Sequence, residues 1–271
     1  MGFRFFAAEV ARTEPVGASA LRVTVRGTEL AGLRSGGRDQ RIKLLLPHPH
    51  QPAPLLPARG EDWFSAWRAM DPAERAVLRT YTVAAYRHRR GFLPELDVDF
   101  VLHGGGLAAG WAARALPGDP LVLLGPDEPD NPGVDFRPPA GTDWVLLAAD
   151  ATALPAAAGI LESLPAGQPA RVWITVPDPR DIRELRTAAD ASVTWLTGDA
   201  DLVRAITATE LPPAASGYAW LAGEAATVRG LRRELLAQGF PRSAVTFTGY
   251  WRRGATEETR LAAALAGASE W

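Results

Sequence analysis

Hydrophobic residues in the first half of the chain occur in short apolar or alternating runs, which is the pattern of β-strands. Clusters of Gly, Pro and Asp separate the runs, as expected of turns. Six short strands with turns between them favour an antiparallel β-barrel. The predicted strands are Phe3–Val10, Ala20–Arg26, Gln40–Leu46, Arg79–Tyr86, Leu96–Leu102 and Pro120–Leu124.

Two helices are predicted within this β-rich half. One covers Asp62–Met70, where Trp63, Phe64 and Trp67 recur at helical spacing. Aromatic residues in such a stripe favour a place in a core over contact with a cofactor. The other is a short helix that follows the glycines at 104–106.

The pattern changes after residues 126–141, which are rich in Pro, Asp and Gly and predict a linker. Strands and helices then alternate, which is typical of a parallel sheet with helices on both faces. We therefore expect a β + α/β protein, an antiparallel β-barrel followed by a doubly wound parallel sheet. The expected strands are Trp144–Ala148, Arg171–Val176, Ser192–Leu196, Tyr218–Ala222 and Val245–Gly249, and the helices are Ala153–Leu164, Leu202–Thr209, Ala225–Gln238 and Glu257–Leu265.

The composition is that of a globular protein, with 47% apolar and 22% charged residues among 271, enough for two domains. The net charge of −2 favours neither nucleic acid nor an anionic membrane as a partner. No apolar run approaches the length of a membrane span, and the first residues lack the hydrophobic stretch of a signal peptide. We therefore expect a cytoplasmic protein without a membrane span.

The absence of cysteine limits the redox chemistry that the chain performs. A disulfide framework and a Cys-ligated iron–sulfur cluster are both excluded. Redox chemistry would therefore use a bound organic cofactor or a different metal site. His48 and His50, two of only four histidines, lie in a Pro-rich stretch and are interpreted as solvated loop residues.

The most informative motif is Arg-Thr-Tyr-Thr at residues 79–82, followed by His-Gly-Gly-Gly at 103–106 and then Trp111. A guanidinium group binds a pyrophosphate, a phenol packs against an isoalloxazine ring, and a hydroxyl reaches a ring nitrogen. Glycines allow the backbone N–H groups at a helix N-terminus to approach a phosphate. The order of these residues therefore suits a flavin.

With these motifs placed, the chain resembles the siderophore-interacting proteins, flavin-binding ferric-siderophore reductases related to the ferredoxin–NADP reductases. The resemblance implies an FAD-binding β-barrel domain over residues 1–128 and a nicotinamide-binding-like α/β domain with a C-terminal helix over 142–271, with FAD bound between them. It also implies reduction of siderophore-bound Fe(III) to Fe(II) for iron release. The segments that carry it are Arg79–Thr82, Glu95–Gly104, Trp111–Ala113, Gly118–Asp119, Leu124–Pro126, Asp150–Pro155, Trp220–Glu224 and Gly249–Gly254.

The same resemblance implies which residues contact the cofactor and the substrate. Lys43, the only lysine, and Arg252 are the expected cations for an anionic ferric chelate. Electron transfer through a flavin needs no general acid or nucleophile, so no catalytic side chain and no resident metal is expected. The expected FAD contacts are Arg79, Tyr81, Thr82, His103, Gly104, Ala108, Ala109, Trp111, Asp150, Thr152 and Trp251.

The chain departs from the family pattern at Ala84, Leu107 and Ala151, where Arg, Pro and Glu are usual. Asp150 and Thr152 replace the two glycines with which related reductases approach the nicotinamide pyrophosphate. NAD(P)H and reduced ferredoxin therefore both stay open as the electron donor. Two other functions also stay open: a non-catalytic scaffold that binds a ferric siderophore or a partner and has weak flavin affinity, and a general NAD(P)H flavin reductase.

Overall fold

The computed structural model describes residues 2–58, 62–102 and 106–255. By its own contacts the chain divides into two compact units, Met1–Gly36 with Gln40–Gly133, and Gly37–Asp39 with Val134–Trp271. The helix expected at Glu257–Leu265 lies outside the described residues. No described helix has the length and hydrophobicity needed to cross a bilayer. The domain limits expected from the sequence stay a prediction, which limited proteolysis would test.

The first unit is built on a seven-stranded sheet in the order β4-β3-β7-β1-β2-β6-β5, with antiparallel pairing throughout. Only Val83 and Ala84 separate its two edge strands along the chain. The sheet therefore has to curl on itself, which confirms the predicted barrel. The strands are β1 Phe3–Pro15, β2 Ala20–Arg26, β3 Arg41–Leu46, β4 Val77–Thr82, β5 Ala85–Arg87, β6 Glu95–Val101 and β7 Pro120–Pro126, and the helices are α1 Trp63–Ala69 and α2 Leu107–Ala112.

One predicted strand, Arg79–Tyr86, is two strands in the structure. The amide of Val83 donates to the carbonyl of Gln40, 2.9 Å away, whereas the amide of Ala84 donates to the carbonyl of Asp97 at 2.9 Å. The chain therefore changes its partner from the β3 side to β6 between two consecutive residues. A hydrophobic pattern does not reveal such a change, because both halves of the run remain extended.

The second unit contains a five-stranded parallel sheet in the order β10-β9-β8-β11-β12. Helix α3 packs in one buried cluster, while α4 and α5 pack in another that includes alternate residues of the same strands. Both faces are covered, which confirms the predicted doubly wound sheet. The strands are β8 Trp144–Asp150, β9 Pro169–Val176, β10 Asp190–Thr197, β11 Gly217–Glu224 and β12 Val245–Trp251, and the helices are α3 Leu154–Ser163, α4 Leu202–Thr207 and α5 Ala225–Ala237.

A three-residue segment, Gly37–Asp39, belongs to the second unit although β1, β2 and β3 flank it in sequence. The buried carboxylate of Asp39 accepts hydrogen bonds from the indole N–H of Trp220 at 3.0 Å and the amide of Phe136 at 3.1 Å. Burial raises the pKa of Asp39, while these hydrogen bonds oppose the rise. The segment is therefore fixed by satisfied polar contacts within this unit.

Candidate functional site

The Arg-Thr-Tyr-Thr motif lies on β4, and the first unit brings its tyrosine close to residues far along the chain. The ring of Tyr81 lies 4.4 Å from that of Phe100 on β6, and Phe100 lies 5.8 Å from Trp111 on α2. Phe100 and Trp111 are buried, whereas Tyr81 is partly exposed. The aromatic row thus supports Tyr81 from behind and leaves part of its surface for a ligand.

Thr82 is the residue of the motif whose buried side-chain hydroxyl lacks a hydrogen-bond partner among the described residues. Its side chain is buried, with 4% of the residue exposed, and its Oγ1 has no hydrogen-bond partner among the described residues. A buried hydroxyl without a partner is uncommon in native proteins and calls for an explanation, such as a missing ligand. A flavin ring nitrogen within reach of this hydroxyl would satisfy it.

Two residues provide positive charge at the motif: Arg79 is its first residue, and Lys43 lies on the neighbouring strand β3. The Arg79 guanidinium donates to the carbonyl of Leu78 at 2.8 Å, and the side chain is partly exposed. Lys43 pairs with Thr80 across β3 and β4, and its Nζ lies 2.5 Å from the Thr80 hydroxyl. The single lysine of the chain is therefore on the strand next to the predicted flavin strand.

Helix α2 begins at Leu107, directly after Gly106, which has no side chain to cap the first amides. Ala108 and Ala109, which were expected to contact FAD, lie in the first turn of this helix and are buried. Leu107, which replaces the usual proline, is 46% exposed. His103 and Gly104, which were expected to contact FAD, lie outside the described residues.

Arg87 is the cation nearest in sequence to Ala84, the position at which the family usually has an arginine. Arg87 is already hydrogen-bonded to carboxylates. Its guanidinium donates to both oxygens of Asp97 at 2.6 Å and to Glu95 at 3.1 Å. Burial alone raises the pKa of Asp97, but the hydrogen bonds from Arg87 and Thr24 outweigh it, and this pKa lies below its ordinary value. A phosphate would have to compete with two carboxylates for Arg87.

In the second unit, Asp150 at the end of β8 organises a separate cluster. Its Oδ1 accepts from the amide and hydroxyl of Thr152 at 2.9 and 2.5 Å, and its Oδ2 accepts from the Trp251 indole at 2.7 Å and the Glu224 amide at 2.9 Å. Burial raises the pKa of Asp150, and the hydrogen bonds oppose this. The structure therefore brings three predicted residues, Asp150, Thr152 and Trp251, into one contact group.

The close approach of β11 to Asp150 requires a glycine. Gly223 has a φ of +145°, and a Cβ at this position would lie 2.6 Å from the Asp150 carboxylate. Since β8 and β11 are the neighbouring strands at which the winding of the sheet reverses, their carboxyl ends form the usual ligand crevice of such a sheet. The Asp150 cluster lies at this crevice.

The structure adds two residues to this crevice, Glu224 and Thr175, that were not among the predicted contact residues. The Glu224 carboxylate caps α5 by accepting from the amides of Ala226 and Thr227. The hydroxyl of Thr175, paired with Asp150 across β9 and β8, is buried without a described partner. Thr175 could have been found from the sequence, because it is a lone polar residue near the carboxyl end of an apolar strand. Arg252, by contrast, lies in a turn that follows β12. The carbonyl of Arg252 accepts a hydrogen bond from the amide of Ala255 at 3.1 Å.

A flavin fits the chain on these observations, because Thr82 needs a partner and the tyrosine, arginine and helix amides supply the expected contact types. A barrel with this site, followed by a doubly wound parallel sheet, is the architecture of a two-unit flavin-binding protein. The "siderophore-interacting FAD-binding domain" matches residues 9–130, and the "siderophore-interacting protein" family matches residues 142–254. The chain belongs to the siderophore-interacting protein family and binds FAD.

Two curated relatives match nearly the full length. The ferric vibriobactin reductase of Vibrio cholerae is 34% identical over 255 residues, covering 91% of this chain and 89% of the relative. The NADPH-dependent ferric-chelate reductase of Escherichia coli is 30% identical over 253 residues, covering 92% and 93%. A crystal structure of a siderophore utilization protein from T. fusca superposes with a TM-score of 0.80 at 34% identity, covering 94% and 95%.

Proposed function

We propose that the chain is an FAD-dependent ferric-siderophore reductase, which reduces siderophore-bound Fe(III) to Fe(II). The observation that carries this proposal is the match, over about nine tenths of both chains, to relatives named as ferric reductases. The fold and the incomplete Thr82 site support it. We propose the cytoplasm as its location, because NAD(P)H is kept reduced there.

When bound, FAD would supply the redox chemistry, because a flavin can accept two electrons from a donor and release them singly. Each Fe(III) accepts one electron, so one NADPH accounts for two ferric chelates. Hard oxygen ligands bind Fe(II) less strongly because its charge density is lower, and the iron is released. The task of the chain is therefore to bind and orient, and no side chain has to transfer a proton.

We propose that Arg79 binds the pyrophosphate, that Tyr81 packs against the isoalloxazine and that Thr82 donates to a ring nitrogen. These roles agree with the contacts on β4, where Tyr81 is supported from behind and the Thr82 hydroxyl has no described partner. The remaining proposed FAD contacts are His103, Gly104, Ala108, Ala109, Trp111, Asp150, Thr152 and Trp251.

Lys43 and Arg252 are proposed to bind the anionic chelate. Lys43 is partly exposed beside β4, and Arg252 is exposed after β12. For the electron donor we propose NADPH, since one relative is named for it. The buried Thr175 hydroxyl in the crevice is a candidate contact for this nucleotide. Reduced ferredoxin is the alternative donor.

The decisive experiment is anaerobic and has two steps. The FAD-loaded protein is mixed with NADH, NADPH or reduced ferredoxin, and bleaching of the flavin absorbance is followed. A ferric catecholate or hydroxamate chelate is then added, and reoxidation of the flavin is measured together with trapping of Fe(II). We expect bleaching by NADPH and rapid reoxidation by the ferric chelate.

Each other outcome identifies a different function. Protein that takes up no FAD is a binding scaffold, and the engaged Arg87 beside Ala84 is the observation that favours this reading. Reduced flavin that reacts with free flavin but not with a ferric chelate indicates a general flavin reductase. A Lys43→Ala variant should raise the KM for the chelate several-fold without changing the flavin spectrum, and Arg41→Ala on the same strand is the matched control.

A further inference from the structure

The turn between β5 and β6, residues 88–93, combines exposed apolar and basic side chains. We call it the β5–β6 turn; all six of its residues are exposed. Phe92 has 74% of its surface exposed and Leu93 has 45%, so two consecutive large apolar residues are exposed to water. Arg89 and Arg90 precede them, and the turn contains no acidic residue. An exposed pair of this kind marks an interaction site.

The backbone holds these side chains at the tip of the hairpin that β5 and β6 form. The amide of Phe92 donates to the carbonyl of Arg89 at 3.1 Å, and Gly91 has a φ of +85°, as the third position of a type II turn requires. At the base, the Tyr86 hydroxyl donates to the carbonyl of Leu30 at 2.8 Å. The turn is therefore held by a backbone hydrogen bond at its tip and by a side-chain hydrogen bond at its base.

The positive charge of the turn is not neutralised by the strands that carry it. Neither Arg89 nor Arg90 forms an ion pair within the part of the chain that the structure describes. Glu95, the first acid after the turn, is already paired with Arg12 at 2.8 Å and with Arg87 at 3.1 Å. The two guanidinium groups at the tip are therefore available to an external anion.

We propose that the β5–β6 turn docks the protein on an anionic lipid bilayer. Phe92 and Leu93 would enter the interface between headgroups and acyl chains, while Arg89 and Arg90 meet lipid phosphates. Charge complementarity and the exposed aromatic ring argue for this occupant. The six residues of the turn are far fewer than the roughly 20–30 that a stable protein interface uses on each partner.

The net charge of the whole chain is −2, so the charge that favours a membrane is local. Attraction of this kind decays within about 10 Å at 0.1 M salt. We therefore expect a weak, reversible and salt-sensitive attachment. Its use rests on the proposed function: it would hold the reductase at the surface through which an external chelate enters the cell.

The test is flotation of the FAD-loaded protein with vesicles of phosphatidylcholine alone or with about one third phosphatidylglycerol, a content that provides an anionic surface. We expect flotation only with the anionic vesicles, and loss of it at high salt. An Arg89→Gln/Arg90→Gln variant should bind about five-fold less tightly for each arginine removed. Phe92→Ser should also release the protein.

Leu116→Ser and Arg233→Gln are the matched controls, since Leu116 is 66% exposed and the Arg233 side chain 78%. Both should float like the unchanged protein. Flavin absorbance is recorded for every variant and should stay constant, which separates this proposal from the proposed function. Failure of the unchanged protein to float with anionic vesicles would overturn the proposal, as would equal flotation of the turn variants. Concentration-dependent dimerisation abolished by Phe92→Ser, without vesicle binding, would assign the turn to a second copy instead.

Discussion

The two clusters of predicted cofactor residues differ in how completely their polar groups are paired within the chain. On β4, the hydroxyl of Thr82 is buried with no described partner. At the end of β8, the carboxylate of Asp150 accepts four hydrogen bonds from Thr152, Trp251 and Glu224. Among the described residues the first cluster therefore leaves a polar group without a partner, whereas the second supplies all the donors of its carboxylate.

This difference indicates that Thr82 has hydrogen-bonding capacity left for a ligand, whereas Asp150 uses its capacity to hold other residues of the chain. A carboxylate offers about four lone-pair sites, and the donors around Asp150 occupy that number. To donate or accept further with FAD, its proposed ligand, Asp150 would have to release one of these donors; within the chain it holds the Trp251 ring and the start of α5 at Glu224. In the Asp150 cluster the incomplete group is the hydroxyl of Thr175, a neighbour that the family resemblance did not indicate.

The largest effect is expected from Arg79→Ala on the β4 side. Loss of a charge-assisted hydrogen bond costs about 1.5–3 kcal/mol, which corresponds to roughly 10- to 100-fold weaker FAD binding. Flavin absorbance of the purified protein and an FAD titration measure it. Arg26→Ala, an exposed arginine of the same unit, is the control and should keep its flavin. Full retention of flavin in Arg79→Ala would remove Arg79 from the site.

On the Asp150 side we expect an effect on stability. Asp150→Ala leaves the Trp251, Thr152 and Glu224 donors without their acceptor, and the free energy of unfolding should fall by about 1–3 kcal/mol. Urea unfolding followed by tryptophan fluorescence measures it. Trp251→Phe removes only one of the four donors and should cost less. Equal stability of Asp150→Ala and the unchanged protein would show that the cluster contributes nothing to the fold.

A smaller but sharper contrast comes from two buried threonines of the first unit. Thr82→Val removes a hydroxyl without a described partner, so the FAD-free protein should become more stable by about 1 kcal/mol while FAD binds several-fold more weakly. Thr24→Val removes a hydroxyl that donates to Asp97 at 2.8 Å, and should destabilise the protein by about the same amount. Destabilisation of the FAD-free protein by Thr82→Val would mean that its hydroxyl has a partner after all.

The stability contributed by Asp97 on β6 and by Asp150 on β8 should also respond to pH with opposite sign. The lowered pKa of Asp97 means that its contribution to stability is present above the unfolded pKa, about 3.9, and is lost as the pH falls through the folded value. The raised pKa of Asp150 means that the folded state binds more protons, so stability decreases as the pH rises from the unfolded value through the folded one.

Urea unfolding between about pH 3 and pH 7 checks these slopes. Asp97→Asn should flatten the loss of stability at the acid end, and Asp150→Asn should flatten the opposite slope at higher pH. Asp97 pairs with Arg87 at 2.6 Å and with Arg22 at 3.9 Å. If Asp97→Asn leaves the loss of stability at acid pH unchanged, these ion pairs do not control acid unfolding.

Much of the fold follows from local pattern. Short apolar runs predict the parallel strands of the second unit to within a few residues, because parallel strands buried on both faces are nearly continuous in apolar residues. The pattern was less informative for β1, which continues through Pro15 beyond its predicted end at Val10. There the strand becomes exposed, and the hydrophobic signal fades although the pairing with β2 continues.

The sequence by itself determined the order of elements and the types of residue that a flavin requires, since both depend on neighbours in the chain. Only the tertiary structure decided which polar groups remain incomplete. Whether Thr82 has a partner, whether Asp150 is saturated, and whether Arg87 is engaged all depend on residues from other strands. Hydrogen bonds and charge pairing act between groups that folding brings together, so their balance is a property of the folded chain.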